Sequence, residues 1–153
     1  MTRPTAFRRR SRRAALQALY AADLSARSGR AGAAPDALAG VAAHFDLHPS
    51  ARAFAEEIVR GVDANRDALD ARIASHARNW RVERMAAVDR NVLRIATWEL
   101  VCTDTPESVV LDEAIEIARD FGSERSPAFV NGVLDAIARE LRAERGQPAE
   151  AKP

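Results

Sequence analysis

Six arginines fall within the first thirteen residues: Arg3, Arg8, Arg9, Arg10, Arg12 and Arg13. No carboxylate precedes Asp23. The whole chain carries a net charge of +1, so removing those six charges leaves the other 140 residues at −5. Cations gathered at one end of a mildly acidic body are the footprint of polyanion binding, above all of nucleic acid. The cluster runs straight into AALQALYAADL, an apolar stretch with helical spacing. Arginine at a helix N-terminus opposes the macrodipole by roughly a few tenths of a kcal/mol per charge. A bound phosphate backbone would offset that cost. At helical spacing Arg9, Arg12 and Arg13 line up as one basic ridge. A disordered solubilising tail is the competing account, and the continuation of the arginines into a helix argues against it. Tyr20, two turns further on, reads as core packing in preference to a ligand contact.

Other chemistry is thin. The chain has no Gly-rich phosphate loop after a strand, no HExxH and no paired-cysteine zinc pattern. His44 and His48 are four apart, but no third ligand has matching spacing and Pro49 follows directly, so no metal is expected. Cys102 is the only cysteine, which rules out an internal disulfide and favours a reducing, cytoplasmic setting. It has no activating partner in sequence and reads as a buried structural thiol. The carboxylate pairs Glu56–Glu57 and Asp112–Glu113 read as solvated helix faces. No catalytic constellation and no cofactor site assemble, so the chain is read as a non-enzyme.

The elements that must position the arginines are helical. Alanine is abundant, aromatics make up 5%, and no strand pattern, repeat or heptad emerges. A first helix is expected over about Arg9–Ser25, its face set by Leu16, Leu19 and Tyr20. SARSGRAGAAPD is a loop, and a short helix with Leu38, Val41, Ala42 and Phe45 follows. Pro49 and Ser50 open a third helix whose stripe runs through Phe54, Ile58, Val62, Leu69 and Ile73. Gly61 inside it costs up to about 1 kcal/mol against alanine, which implies a closely approaching neighbour. A break falls over 79–84. The next helix, AVDRNVLRIATWEL, is capped by Asp89 and buries Leu93, Ala96 and Leu100. Thr105-Pro106 separates it from PESVVLDEAIEIARDFG, which Gly122 ends in a left-handed cap. Ser126 then caps the last helix, with Pro127 at its first position and Val130, Val133, Leu134, Ile137 and Leu141 on its buried face. The expected organisation is a flexible basic arm over 1–8, one helical domain over 9–142 and a frayed polar tail over 143–153. No apolar run is long enough to span a membrane. Ser11-Arg12-Arg13-Ala14-Ala15-Leu16 faintly echoes a twin-arginine export signal, but Gln17, Tyr20 and Asp23 make the following stretch amphipathic, so no targeting segment is expected.

The opening RRRSRRAALQALYAADL, the middle EEIVRGVDANRDALDARIASHARNWRVERMAAVDRNVLRIATWEL and the later TPESVVLDEAIEIARDFGSERSPAFVNGVLDAIA together resemble the NusB family of bacterial transcription antitermination factors. The resemblance covers about residues 8–142 apart from the 27–50 stretch. Its most specific blocks are VDRNVLRIATWEL, LDEAIEIARDFG and FVNGVLD. It implies an all-α fold of two packed three-helix bundles with a basic N-terminal arm. It also implies binding of single-stranded boxA RNA in ribosomal RNA transcripts, together with NusE, a small-subunit ribosomal protein. That pair joins NusA, NusG and RNA polymerase, supporting processive transcription and maturation of ribosomal RNA. By the same resemblance Arg8, Arg9, Arg10, Arg12 and Arg13 form the RNA-binding start. Phe129 lies next to the RNA path, either as a stacking plane or as a core residue. Ser126 marks a helix N-terminus offering free N–H groups. Arg125 stands where the family commonly has acidic or neutral residues. Tyr20, Glu83, Arg84 and Asp89 match the NusE-facing surface. Two alternatives stay open: a self-associating NusB-like helical protein forming a homodimer, and non-specific RNA binding through the arginines. A NusB-like domain is also attached to ribosomal RNA cytosine methyltransferases, but this chain lacks their Gly-rich cofactor loop and catalytic cysteine motif.

Overall fold

The computed structural model describes residues 2–27, 34–77 and 81–147, and of residues 2–5, 26–27 and 35 the backbone alone. The centre of the expected 25–36 loop, the start of the expected break over 79–84 and residues 148–153 lie outside the described residues. Seven α-helices are described: α1 (Thr2–Arg27), α2 (Ala34–Phe45), α3 (Pro49–Ala64), α4 (Arg66–His76), α5 (Ala87–Cys102), α6 (Glu107–Phe121) and α7 (Ser126–Glu144). A 3-10 turn, Val82–Arg84, precedes α5. Helices α1, α2 and α3 pack on one another, as do α5, α6 and α7. The fold is therefore all-α, two three-helix bundles, with α4 laid against α5 and α7.

The helix α5 is the shared wall. It touches α1, α3, α4, α6 and α7, and every residue from Arg90 to Leu100 is buried. The one-sided stripe expected from Leu93, Ala96 and Leu100 understated this. The buried charged residues Arg90, Arg94 and Glu99 disguise an enclosed stretch of helix, because each finds a partner inside.

Helix α1 begins at Thr2, not Arg9, so the described residues of the expected 1–8 arm are helical. The expected single helix from Pro49 to Ile73 is two. Asn65 ends α3 by turning its Nδ2 back onto Gly61 O at 2.7 Å, the competition with the helix backbone that asparagine favours. The tail is ordered further than expected. Gly146 takes φ +66°, its N–H donates to Ala143 O, and the Gln147 N–H donates to Arg142 O, a Schellman closure of α7. Arg145 then donates to Leu100 O at 3.0 Å, covering the open end of α5.

Gly61 and Gly122 are both required by close approach. A Cβ on Gly61 would lie 2.0 Å from Trp98 Nε1 on α5, as the sequence implied. Gly122 ends α6 in extended backbone (φ −93°, ψ −166°), not the left-handed cap expected. Its lost side chain makes room instead for Ser126, whose Oγ a Cβ would meet at 2.4 Å.

A polar network of buried α5 residues and partly buried carboxylates joins α1, α4 and α5. Arg90 Nη2 and Asn91 Nδ2 each donate to Asp23 Oδ2 at 2.9 Å. Arg94 pairs with both Asp70 oxygens at 2.8 Å and reaches Asp23 Oδ2 at 3.4 Å. Burial raises the Asp23 pKa, but the hydrogen bonds from Asn91 and Arg90 and the charges of Arg90 and Arg94 outweigh it and hold the carboxyl below its usual range. A depressed folded-state pKa contributes stability that is full above the unfolded value, about 3.9, and is lost as pH falls through the folded value. The stability gap between wild type and Asp23→Asn is therefore expected to be flat above about pH 5 and to narrow below about pH 4. Urea unfolding at stepped pH measures it. A gap that does not change with pH would show that the carboxylate charge contributes nothing.

Candidate nucleic-acid interface

The arginine helix does not present all its cations outward. One turn before Ala15 and Leu16 and two before Leu19, Arg12 lies on the buried face of α1 and is 2% exposed. Its Nε and Nη2 donate to Glu99 Oε2 and Oε1 at 2.7 and 2.8 Å. The expected ridge of Arg9, Arg12 and Arg13 is thus broken. Arg12 is a structural cation, and its assignment to RNA is corrected.

Arg9 and Arg13 face α6. Arg9 forms a two-pronged pair with Glu113 at 3.0 and 3.1 Å, and that hydrogen bond and charge raise the Arg9 pKa. Glu113 is buried, so the expected solvated carboxylate face holds only for Asp112, which is exposed. Arg13 pairs with Asp120 and lies 5.3 Å from the centroid of the Phe121 ring. Arg8 is exposed, with its guanidinium 4.6 Å over the Phe54 ring and Nη1 3.4 Å from Thr105 Oγ1. Arg10 is exposed and has no hydrogen bond or ion pair among the described residues.

Asp120 and Phe121 also deliver the chain into the loop before α7, so Arg13 stands at the root of the loop that carries Arg125. Arg125 is exposed and occupies the cap position of α7 in helical conformation, without a side-chain cap. Ser126 is not the cap. It is buried, and its Oγ accepts the Ser123 N–H at 2.9 Å. The Ser126 N–H donates to Ser123 O and the Phe129 N–H to Arg125 O, both at 3.1 Å. Pro127 has no N–H, so the expected array of free donors shrinks to that of Ala128. Phe129 is half-buried against the core.

The second predicted group is partly assembled. Glu83 and Arg84 are exposed on the 3-10 turn and line an open groove of about 980 Å³ with Asp23, Asp67, Asp70 and Arg94. Tyr20, 39% exposed, lies three residues before Asp23 on the same helix, so it is not the core residue its spacing suggested. Asp89 sits in the first turn of α5 but does not cap it. Ala86 holds that position, and Asp89 Oδ1 is buried with no partner among the described residues.

Cys102 is exposed, the reverse of the buried thiol expected, because α5 emerges from the core at Val101. His48 caps α3, accepting the Ser50 N–H on Nδ1 at 3.2 Å, and stacks on Phe7. No group of three His, Cys, Asp or Glu side chains among the described residues is placed to hold a metal. No described helix is long and apolar enough to cross a membrane. Sequence reasoning missed Phe54 and Phe121 as the planes under Arg8 and Arg13, and it missed the Asp23–Arg90–Arg94–Asp70 network. Asp23 carried a signal, four residues after the buried Leu19.

The sequence model of the NusB family matches residues 9–139. The chain belongs to the NusB family. A transcription antitermination protein NusB of Anaeromyxobacter dehalogenans is 47% identical over 145 residues, covering 94% of this chain and 99% of the relative. One from Sorangium cellulosum is 47% identical over 131 residues, covering 85% and 90%. Among solved structures, Thermotoga maritima NusB superposes with a TM-score of 0.79 at 37% identity, covering 87% of this chain and 91% of that one. The NusB structure solved as antitermination factors NusB and NusE in complex with double-stranded RNA gives 0.78 at 25% identity, covering 92% and 99%. The NusB family is one of transcription antitermination factors, not of enzymes.

Proposed function

We propose that this NusB-family chain binds single-stranded boxA RNA of ribosomal RNA transcripts together with NusE, and that the pair acts with NusA, NusG and RNA polymerase to support processive transcription and maturation of ribosomal RNA. The observation that carries the reading is the placement of Arg8, Arg9, Arg10 and Arg13 on one end of α1, beside the α6–α7 loop with Arg125, in a chain matching the family over 9–139. Of these, Arg9, Arg10 and Arg13 can position a phosphate backbone without reading sequence, and Arg8 can also stack. Phe129, with Ser126 shaping the loop before it, offers the nearby plane that base stacking needs. The surface assigned to NusE takes in the exposed Tyr20, Glu83 and Arg84 and the half-buried Asp89, and the Glu83 carboxylate suits a basic ribosomal protein.

Fluorescence anisotropy tests it, using boxA and scrambled RNA, with and without NusE, across a salt series. BoxA is expected to bind more tightly than the scrambled strand, and NusE to tighten it further. Equal binding of both strands, untouched by NusE, would reduce the arginines to a non-specific polyanion site. In the same assay Arg10→Gln is expected to lower the salt slope by about 0.7, the single-strand value for one phosphate contact. Arg125→Asp should weaken binding and flatten the slope. An unchanged affinity and slope would place the α6–α7 loop away from the RNA.

A further inference from the structure

A cavity of about 570 Å³ opens beside the N-terminal half of α1, between α3 and the α5–α6 connection. Its lining includes Arg8, Phe54, Cys102, Thr103, Asp104 and Thr105. One wall is a cation–π contact, the exposed Arg8 guanidinium 4.6 Å over the half-buried Phe54 ring. One rim is a hydroxyl pair. Thr103 Oγ1 bonds to Glu99 O at 2.8 Å and lies 3.1 Å from Thr105 Oγ1, which Arg8 Nη1 approaches at 3.4 Å. The other rim holds the exposed carboxylates of Asp104 and Glu57, neither of which has a hydrogen bond or ion pair among the described residues.

The charges decide what fits. Arg12 and Glu113 also border the space, but Glu99 and Arg9 already neutralise them. That leaves one guanidinium facing two free carboxylates, which repels a phosphate. The remaining features suit an unstacked nucleobase: a cationic plane to stack on, hydroxyls that donate or accept, and carboxylates that accept from an amino group. The volume is within the ordinary range for a small-ligand pocket. We infer that this cavity is a nucleotide subsite, taking one amino-bearing base of a single-stranded RNA on the Arg8–Phe54 pair, with Asp104 accepting from the base amino group. The inference rests on the RNA-binding reading, and it extends the RNA path to the side of α1 away from Arg13 and Phe121. Uracil, lacking an exocyclic amino group, is disfavoured there.

The only cysteine of the chain lines this cavity, which gives a direct readout. The full protein is treated with N-ethylmaleimide with and without the boxA strand, while anisotropy in the same buffer reports binding. RNA is expected to slow Cys102 alkylation several-fold. An abasic scan along the strand should find one position whose base contributes about tenfold in affinity, as stacking of one base does. That penalty should shrink in Arg8→Gln, an exposed change, and in Phe54→Leu, its fold checked by circular dichroism. Asp104→Asn should relax the bias against uracil at the same position. If the RNA binds yet Cys102 reacts at its free rate and no abasic penalty responds to Arg8→Gln, the subsite is overturned and the RNA-binding reading stands. If no RNA binds at all, both fall together.

Discussion

Glu99→Ala is expected to cost about 3–5 kcal/mol, the range for breaking a buried ion pair by removing one partner. Both side chains of the Arg12–Glu99 pair are almost wholly buried, 3% and 2% exposed, and they meet through two short bonds. Removing the carboxylate leaves a guanidinium in the core with nothing to accept its protons, and arginine cannot escape by deprotonating. Arg12→Ala should be similarly damaging, through a stranded Glu99 and a cavity between α1 and α5. The informative control is Arg12→Met with Glu99→Leu, which removes both charges and keeps most of the volume. It should cost far less than either single change. Denaturant midpoints of the four proteins decide the matter. A loss under about 1 kcal/mol for Glu99→Ala would put the pair in contact with water, as exposed pairs behave. The same series separates scaffold from ligand contact. If Arg12 is structural, RNA affinity in the double variant should be close to wild type.

That distinction was not legible in the sequence, although the pieces were. Reading charge alone groups Arg12 with Arg8, Arg9, Arg10 and Arg13. Reading periodicity places it with Ala15, Leu16 and Leu19, facing inward. The second signal wins because position 12 faces α5, where Glu99 supplies the carboxylate that lets an arginine be buried. Periodicity was also what made α6 and α7 legible, since each has one apolar face and one wet one. It failed on α5, where burial on every side erases the period and leaves charged residues that look like surface. It failed at Asn65 too, where one side-chain hydrogen bond overrides a continuous apolar stripe. Of the candidate site, the exposed Arg8, Arg10 and Arg125 follow from composition and order. Their neighbours do not. Phe54, Thr105, Glu113 and Asp120 are 46 or more residues away in sequence and reach α1 only through the tertiary fold.

Those neighbours change how many charges a polyanion meets. The pairing of Arg9 with Glu113 and of Arg13 with Asp120 means that a phosphate must compete with a carboxylate already in place at both positions. Releasing a bound carboxylate is not releasing a counterion, so such contacts contribute less to the salt slope than a free arginine does. The arginine count therefore overstates the slope, and Arg10 is the cleanest probe of it.

Gly61→Ala should reverse the usual sign of a glycine-to-alanine change inside a helix. In an exposed helix the added methyl gains up to about 1 kcal/mol. Here it would enter the indole of Trp98, 2.0 Å from Nε1, 2.3 Å from Cε2 and 2.7 Å from Cζ2. Two heavy atoms rest at about 3.5–4.0 Å, so one partner must move by more than an ångström. Trp98 has little freedom to do so. It is 4% exposed, with buried residues on either side of it along α5. Overpacking of this kind typically costs about 1–3 kcal/mol and more where nothing yields, so a loss of about 3 kcal/mol is expected. Trp98→Phe removes the indole atoms in the way, at the cost of a cavity of its own. Adding Gly61→Ala to that background should cost much less than adding it to wild type, a coupling of about 1–3 kcal/mol. Urea unfolding of the two single variants and the double completes the cycle. A neutral or stabilising Gly61→Ala would mean that α3 and α5 stand further apart than Gly61 against Trp98 requires. The contact between α3 and α5 would then lose its tightest point, and with it the physical reason for a glycine inside α3.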